Sequence, residues 1–148
     1  MAVLVAPAHS LMAQALAPAS GLTAQRQRVE VASSNLNNSE TTRTAEGGAY
    51  RRKDVVFQTA TFGESFEAAG GGAEGVEVTG VVKDMRPFDR RFEPGHPDAD
   101  KEGYVEYPNV NSMEEMANLV SAARSYEANL AAINIVKSMI SKTLEIGR

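Results

Sequence analysis

Ser112-Met113-Glu114-Glu115-Met116-Ala117-Asn118-Leu119-Val120-Ser121-Ala122-Ala123-Arg124-Ser125-Tyr126-Glu127-Ala128-Asn129-Leu130 is the stretch on which the reading of this chain turns. Pro108 blocks an earlier helix start, and Ser112 with Glu115 has the pattern of a capping box. In that motif Ser112 accepts from the Glu115 backbone N–H, and the Glu115 side chain reaches back to Ser112. From there Met116, Leu119, Ala123, Tyr126, Leu130, Ile133, Lys137, Ile140 and Leu144 alternate three and four apart, broken only by Lys137. Glu114 and Glu115 favour the positive end of the helix dipole, Lys142 and Arg148 the negative end. The spacing predicts a rod of about 33 residues and roughly 50 Å, too long for a compact domain of this size.

The positions off that row decide what the rod is for. A solvated face carries Glu, Lys and Arg, yet between Met116 and Val136 only Arg124 and Glu127 are charged. Ser121, Ser125, Ala128, Asn129 and Ala132 are small or short, so neighbouring backbones can come close. An exposed Ala-rich helix held by propensity is the plainer alternative. A chain of 148 residues cannot surround such a helix, so these five positions are expected to pack against other subunits.

Working back to the other end, Leu22, Val29 and Leu36 recur at seven-residue spacing, with Ala32 between them and Ala15 extending the row. This narrow stripe has the form of a coiled-coil seam. Its expected partner within the subunit is the stripe Leu119, Ala123, Tyr126, Leu130, Ile133 and Ile140. Pro18 and Gly21 are expected to kink or interrupt the upstream helix. Asn35-Leu36-Asn37-Asn38 is expected to stop it through a left-handed Asn. Between the helices, Tyr50 to Phe57 and Val76 to Val82 read as strands, set among the loop formers Gly47-Gly48, Gly70-Gly71-Gly72 and Pro94-Gly95-His96-Pro97. The fold class is α+β: helical residues 1–38, a β-rich middle 39–109 with mobile loops, and a helical 110–148 pairing with the first.

Composition sets the limits. A hydrophobic fraction of 43% argues against disorder throughout, while 6% aromatics and no Trp leave no large core. The net charge of −4 gives no reason to expect nucleic acid, and Arg51-Arg52-Lys53 and Arg90-Arg91 read as salt-bridged surface. Absence of cysteine excludes disulfides and thiolate chemistry. No run approaches the roughly 18 apolar residues of a membrane span. Ala17-Pro18-Ala19 imitates a signal-peptidase site, but no Lys or Arg precedes Arg26 and Pro7, His9, Ser10 and Gln14 interrupt the apolar segment, so any export is expected to be without cleavage.

Chemical motifs fall short one by one. Gly70, Gly72 and Gly75 fit G-x-G-x-x-G, but a strand follows where a dinucleotide loop needs a helix. Asp98, Asp100, Glu102 and Gly103 occupy the first, third, fifth and sixth places of a calcium loop; the twelfth is Asn109, which cannot supply the bidentate carboxylate. A weak calcium-binding module is thus the competing reading. His9 and His96 are the only histidines, and His96 in its Gly-His-Pro turn is expected to make a local hydrogen bond. No catalytic residue, cofactor site, metal site or small-molecule substrate is expected.

Ser20-Gly21-Leu22, Gln25-Arg26, Ser33-Ser34-Asn35-Leu36-Asn37-Asn38 and Thr41-Thr42 resemble the N-terminal signature of the bacterial flagellar rod and hook family of axial proteins. Thr42-Arg43-Thr44 with Glu46 to Lys53, Pro94 to Asp100, Gly103-Tyr104-Val105, Pro108 to Asn111 and Ser125 to Asn129 narrow the resemblance to its proximal-rod branch. Asn37 stands where that family usually has Ala, and Ala49 where it has Pro. The resemblance implies a structural drive-shaft subunit in the periplasm-spanning rod of the basal body. It implies export by the flagellar type III apparatus without cleavage. The partners it implies are other copies of the chain, other rod proteins and the basal-body base.

Overall fold

The computed structural model describes residues 5–61 and 74–146. In chain order these are helix α1 (Val5–Asn37), strands β1 (Lys53–Thr61), β2 (Glu74–Lys83), β3 (Asp89–Phe92) and β4 (Tyr104–Tyr107), and helix α2 (Ser112–Ile146). β1 pairs with β2 and β3 with β4, in two separate two-stranded sheets. Two long terminal helices around a small β region make this an α+β chain. The chain divides into two compact units. One comprises Met1–Gln27, Phe57–Thr79 and Ala122–Arg148; the other comprises Arg28–Val56 and Gly80–Ser121. Gly70-Gly71-Gly72 and Arg148 lie outside the described residues, while Gly75 is in β2.

Three expectations about the helix ends are corrected. First, α1 runs unbroken through Pro18 and Gly21. The proline forfeits one N–H bond, and nearby the Ser20 hydroxyl donates to the Ala17 carbonyl at 2.8 Å. Gly21 is a point of close approach: a Cβ there would lie 2.8 Å from Asn129 Nδ2. Second, α1 does not end on a left-handed Asn, since no described residue other than glycine has positive φ. Side chains close it instead. Asn38 donates from both its backbone N–H and Nδ2 to the Ser34 carbonyl (3.1 and 2.8 Å), and Ser39 does the same to Leu36 through its N–H and hydroxyl (3.2 and 2.8 Å). Third, α2 is capped one residue earlier than Ser112. Asn111 Oδ1 accepts from the N–H groups of Met113 (3.0 Å) and Glu114 (3.4 Å), leaving the Glu115 side chain for another task.

The faces also differ from the apolar rows. In the first unit Ala24, Ala122 and Val136 are buried, and Gly21 meets Asn129. In the second Ala32, Asn35 and Glu115 are buried. Leu22, Val29, Leu36, Leu119, Ile133 and Ile140 are half-buried, while Ala123, Tyr126 and Leu130 are exposed. Each helix therefore turns inward the row next to its large apolar one. Small residues there bring the backbones together, and one neighbour cannot also cover the broader row.

The β3–β4 hairpin escaped the sequence reading. Asp89 pairs with Tyr107, Arg90 with Glu106, Arg91 with Val105 and Phe92 with Tyr104, antiparallel. Only Val105 is fully buried, so no apolar alternation marks the strands. Cross-strand aromatics and cations hold the outer surface: Phe92 and Tyr104 meet edge to face at 5.3 Å, with Arg90 4.9 Å over Tyr104 and Arg91 4.3 Å over Tyr107. Asp100 Oδ1 closes the preceding turn by accepting from the N–H groups of Glu102 (2.8 Å) and Tyr104 (2.9 Å). Gly103 enters β4 at φ +85°, and a Cβ there would lie 2.9 Å from Phe92. Gly103→Ala is expected to cost about 1–2 kcal/mol in backbone strain alone, measured by urea unfolding. An unchanged midpoint would show that the turn rearranges freely.

Candidate assembly surface and the buried polar node

Within the second unit, Asn35 is the hub of a closed hydrogen-bond set. Its Nδ2 donates to the Lys53 carbonyl (2.8 Å) and to Glu115 Oε2 (3.0 Å). Its Oδ1 accepts from the Lys53 N–H (3.0 Å) and the Tyr50 hydroxyl (3.0 Å). All four bonding positions of the amide are filled. Toward Lys53 it presents one acceptor and one donor, as a neighbouring strand would. The last turn of α1 is thereby joined to the start of β1.

Glu115 carries the set onward. Its other oxygen accepts from Arg52 Nε at 2.7 Å, with the Glu115 side chain 2% exposed and Arg52 12%. Arg52 also reaches Asp54 at 3.1 Å and Asp84 at 3.4 Å. Burial works against the Arg52 charge, but the bonds to Glu115 and Asp54 outweigh it and hold the guanidinium pKa above its ordinary value. Along the backbone, the Arg52 N–H donates to Asn109 Oδ1 (2.9 Å), and Asn109 Nδ2 donates to the carbonyls of Asp84 and Arg86, both at 3.2 Å. The basic run 51–53 is consumed in structure. Arg51 bonds the same two carbonyls and lies 4.1 Å over Phe88; Lys53 lies 5.7 Å from the Tyr50 ring centre.

Asp84 is held ionised by the Arg86 backbone N–H, against burial and with help from the Arg86 and Arg52 guanidinium groups, so its pKa is below the ordinary 3.8. A depressed carboxylate stabilises the fold above its unfolded pKa, and that contribution is lost as pH falls through the folded value. Asp84→Asn is therefore expected to lower the melting temperature by a constant amount near neutrality, with the gap to the parent closing below about pH 4. Thermal melts at several pH values test this, and a gap that persists in acid would contradict it.

The residues weighed for metal chemistry are turned toward protein donors. Asp98 accepts from the Thr42 hydroxyl (2.8 Å) and pairs with Arg43 (3.4 Å); Asp100 pairs with Arg90 (2.9 Å). His96 Nδ1 accepts the Asp98 N–H at 3.1 Å, the local turn bond expected of it. Among the described residues no group of three His, Cys, Asp or Glu is placed to hold a metal ion.

Among the residues that α2 leaves outward are large apolar ones, interspersed with charged and polar side chains. Met116, Val120, Tyr126, Leu130, Ile135, Met139 and Leu144 are all exposed in the single chain, Ile135 by 61% and Leu144 by 68%. Ser121 and Ala128 are exposed as well, whereas Ser125, Asn129 and Ala132 are half-buried within the chain. Of the five small positions expected to face other subunits, three are thus partly covered already by the chain itself.

Residues 16–43 match the family described as flagella basal body rod protein, and residues 101–146 match the C-terminal region described for the flagellar basal body rod FlgEFG proteins. The flagellar basal-body rod protein FlgC of Bacillus subtilis is 46% identical, the match covering 88% of this chain and 93% of the relative. The chain belongs to the FlgC family of flagellar basal-body rod proteins. The FlgC proteins of Escherichia coli O157:H7 (46% identical) and Salmonella typhimurium (45%) match over 87% of this chain and 92% of their own length. Family membership places the chain in the basal-body rod of the bacterial flagellum, as a structural component. It also explains the node. The blocks that carried the resemblance supply Asn35, Tyr50, Arg52, Lys53 and Asn109, so much of the FlgC signature here joins helix ends to strands. Glu115, which completes the node, was missed because its position also fits a cap. A better signal was available: Asn111 is an equally good cap, which frees the carboxylate.

Proposed function

We propose that this chain is a non-enzymatic, self-assembling subunit of the proximal rod, and that the outward apolar row of α2 is its main assembly surface. The observation that carries this is the set of large apolar side chains exposed on α2, Met116 and Val120 in the second unit and Tyr126, Leu130, Ile135, Met139 and Leu144 in the first. Monomeric soluble proteins rarely leave so extended an apolar surface uncovered. Neighbouring copies and other rod proteins are the partners that would cover it, with the basal-body base at one end. Ser121 and Ala128 set how closely a neighbour approaches, while Ser125, Asn129 and Ala132 serve the chain's own helix contact first. The working division stays 1–38, 39–109 and 110–148, with both terminal segments in the assembly and the middle between them. Torque passes through many such contacts at once, with no catalytic group, nucleic acid or small-molecule substrate. Delivery by the flagellar type III apparatus without cleavage rests on family membership.

Leu130→Glu/Ile135→Glu tests the surface. Neither side chain is buried in the single chain, so circular dichroism and melting temperature should match the parent. Burying two unpaired carboxylates in each assembled subunit costs several kcal/mol, so cells relying on this copy should form no rods and not swim. Normal swimming would overturn the assignment of this face.

A further inference from the structure

Two hollows flank the Thr44–Ala49 turn of the second unit and share Gly48 and Ala49 in their linings. Each measures about 420 Å³, room for several side chains from another molecule. Their charges are opposite. On one side Arg51, Lys53 and Lys83 stand against Glu46 alone, three cations and one carboxylate, a net of +2. Glu46 pairs with Lys83 at 3.2 Å. Arg51 spends its hydrogen bonds on carbonyls and Lys53 faces a ring, so neither meets a carboxylate among the described residues. On the other side Asp98, Asp100 and Glu106 stand against Arg43 and against Arg90, which pairs with Asp100 at 2.9 Å, three carboxylates and two cations, a net of −1. Arg43 is taken by Asp98, and Glu106 is exposed with no ion-pair partner among the described residues.

Opposite charge on the two sides of one turn is left over after the chain's own ion pairs among the described residues, with Glu106 the free carboxylate on the acidic side. We propose that copies of this chain meet head to tail here, the basic hollow of one copy (Arg51, Lys53, Lys83) against the acidic hollow of the next (Asp98, Asp100, Glu106). This rests on the self-assembling rod reading and adds to it a contact through the β-rich middle. The occupant is a second copy because the complementary surface is carried by the same chain. A nucleic acid or other polyanion would satisfy the basic side and leave the acidic side unexplained. Such a contact is heterologous, so it propagates into a ring or a helix of subunits, as a rod requires. Opposed potentials also fix register and reject wrong partners more than they add affinity.

The chain has no cysteine, which permits a direct test. Two copies, one carrying Lys83→Cys and the other Glu106→Cys, are co-expressed in cells lacking their own copy, and isolated basal bodies are treated with a short bis-maleimide. A mixed dimer that neither variant yields alone is the expected result. Basal bodies that contain both copies but give no mixed dimer overturn the inference and leave the rod reading standing. Basal bodies without the chain would sink both. Charge reversal provides the second arm. Lys53→Glu/Lys83→Glu makes both hollows negative and should weaken association between copies roughly a hundredfold, abolishing swimming. Adding Ala99→Lys/Glu106→Lys makes the second hollow positive and should restore swimming, which also shows that the reversed chain folds. Unimpaired swimming of the reversed variant, or no restoration, would overturn the proposal.

Discussion

Glu115→Ala is expected to be among the most destabilising single substitutions in the described part of the chain, by about 3–5 kcal/mol. The carboxylate is 2% exposed and accepts from both Arg52 Nε (2.7 Å) and Asn35 Nδ2 (3.0 Å). Its loss leaves an amide donor facing a void and takes from the nearly buried guanidinium its shortest partner, leaving Asp54 at 3.1 Å and Asp84 at 3.4 Å to balance the charge less closely. In a chain this size the melting temperature should fall by roughly 10 °C. Glu115→Gln keeps the volume and one acceptor, so its loss should be clearly smaller. Arg52→Leu/Glu115→Leu should recover part of the stability of Glu115→Ala, because no guanidinium is then left less closely balanced. Recovery stays incomplete, since Asn35 retains the Lys53 carbonyl at 2.8 Å but no second acceptor. Chemical unfolding of the purified variants decides the matter. A Glu115→Ala protein within about 1 kcal/mol of the parent, the scale of one ordinary hydrogen bond, would mean the node does not hold the second unit together.

The contrast between this node and the sequence reading shows what one-dimensional patterns can carry. Long helices at both ends and strands near Val55 and Val78 follow from periodicity and composition; α1, α2 and β2 lie close to where they are expected, while β1 starts and ends three to four residues later than Tyr50 to Phe57. The choice of face does not follow. Hydrophobicity marks Leu119, Tyr126 and Leu130, but the chain buries Glu115, Ala122 and Val136 on the adjacent row. A period of three and four fixes a row only relative to an environment, and the environment of this helix is not given by its own sequence. The same reasoning accounts for the hairpin. Asp89-Arg90-Arg91-Phe92 hides a strand because its stabilisation comes from cations stacked on Tyr104 and Tyr107, which no binary pattern records. The node was illegible for a third reason. Asn35 and Glu115 lie 80 residues apart, and each has a satisfactory local role as helix stop and helix cap.

Hydrogen exchange on dilute protein is expected to show protection falling by orders of magnitude along α2. Its first turns are clamped: Asn111 caps them, Glu115 is tied into the node, and Ala122 is fully buried. Farther along, Val136 is the one buried side chain between Ala123 and Glu145, and Met139 and Leu144 are exposed. Helical propensity alone leaves such a segment marginal, because ordering each residue costs roughly 1–2 kcal/mol against little buried area. Amides from Glu114 to Ser121 should therefore exchange only with opening of the second unit. Those beyond Ile133 should exchange through local fraying at rates close to an unfolded peptide. On the proposed assembly, neighbouring subunits would supply apolar contacts and order the distal half, so the same amides should become protected in isolated basal bodies. The ordering cost is met only when partners are present, which lowers the affinity of any single contact and favours growth onto an existing tip. Uniform strong protection from Leu119 to Ile140 in the dilute chain would refute this, and would show that α2 is rigid before it meets a neighbour.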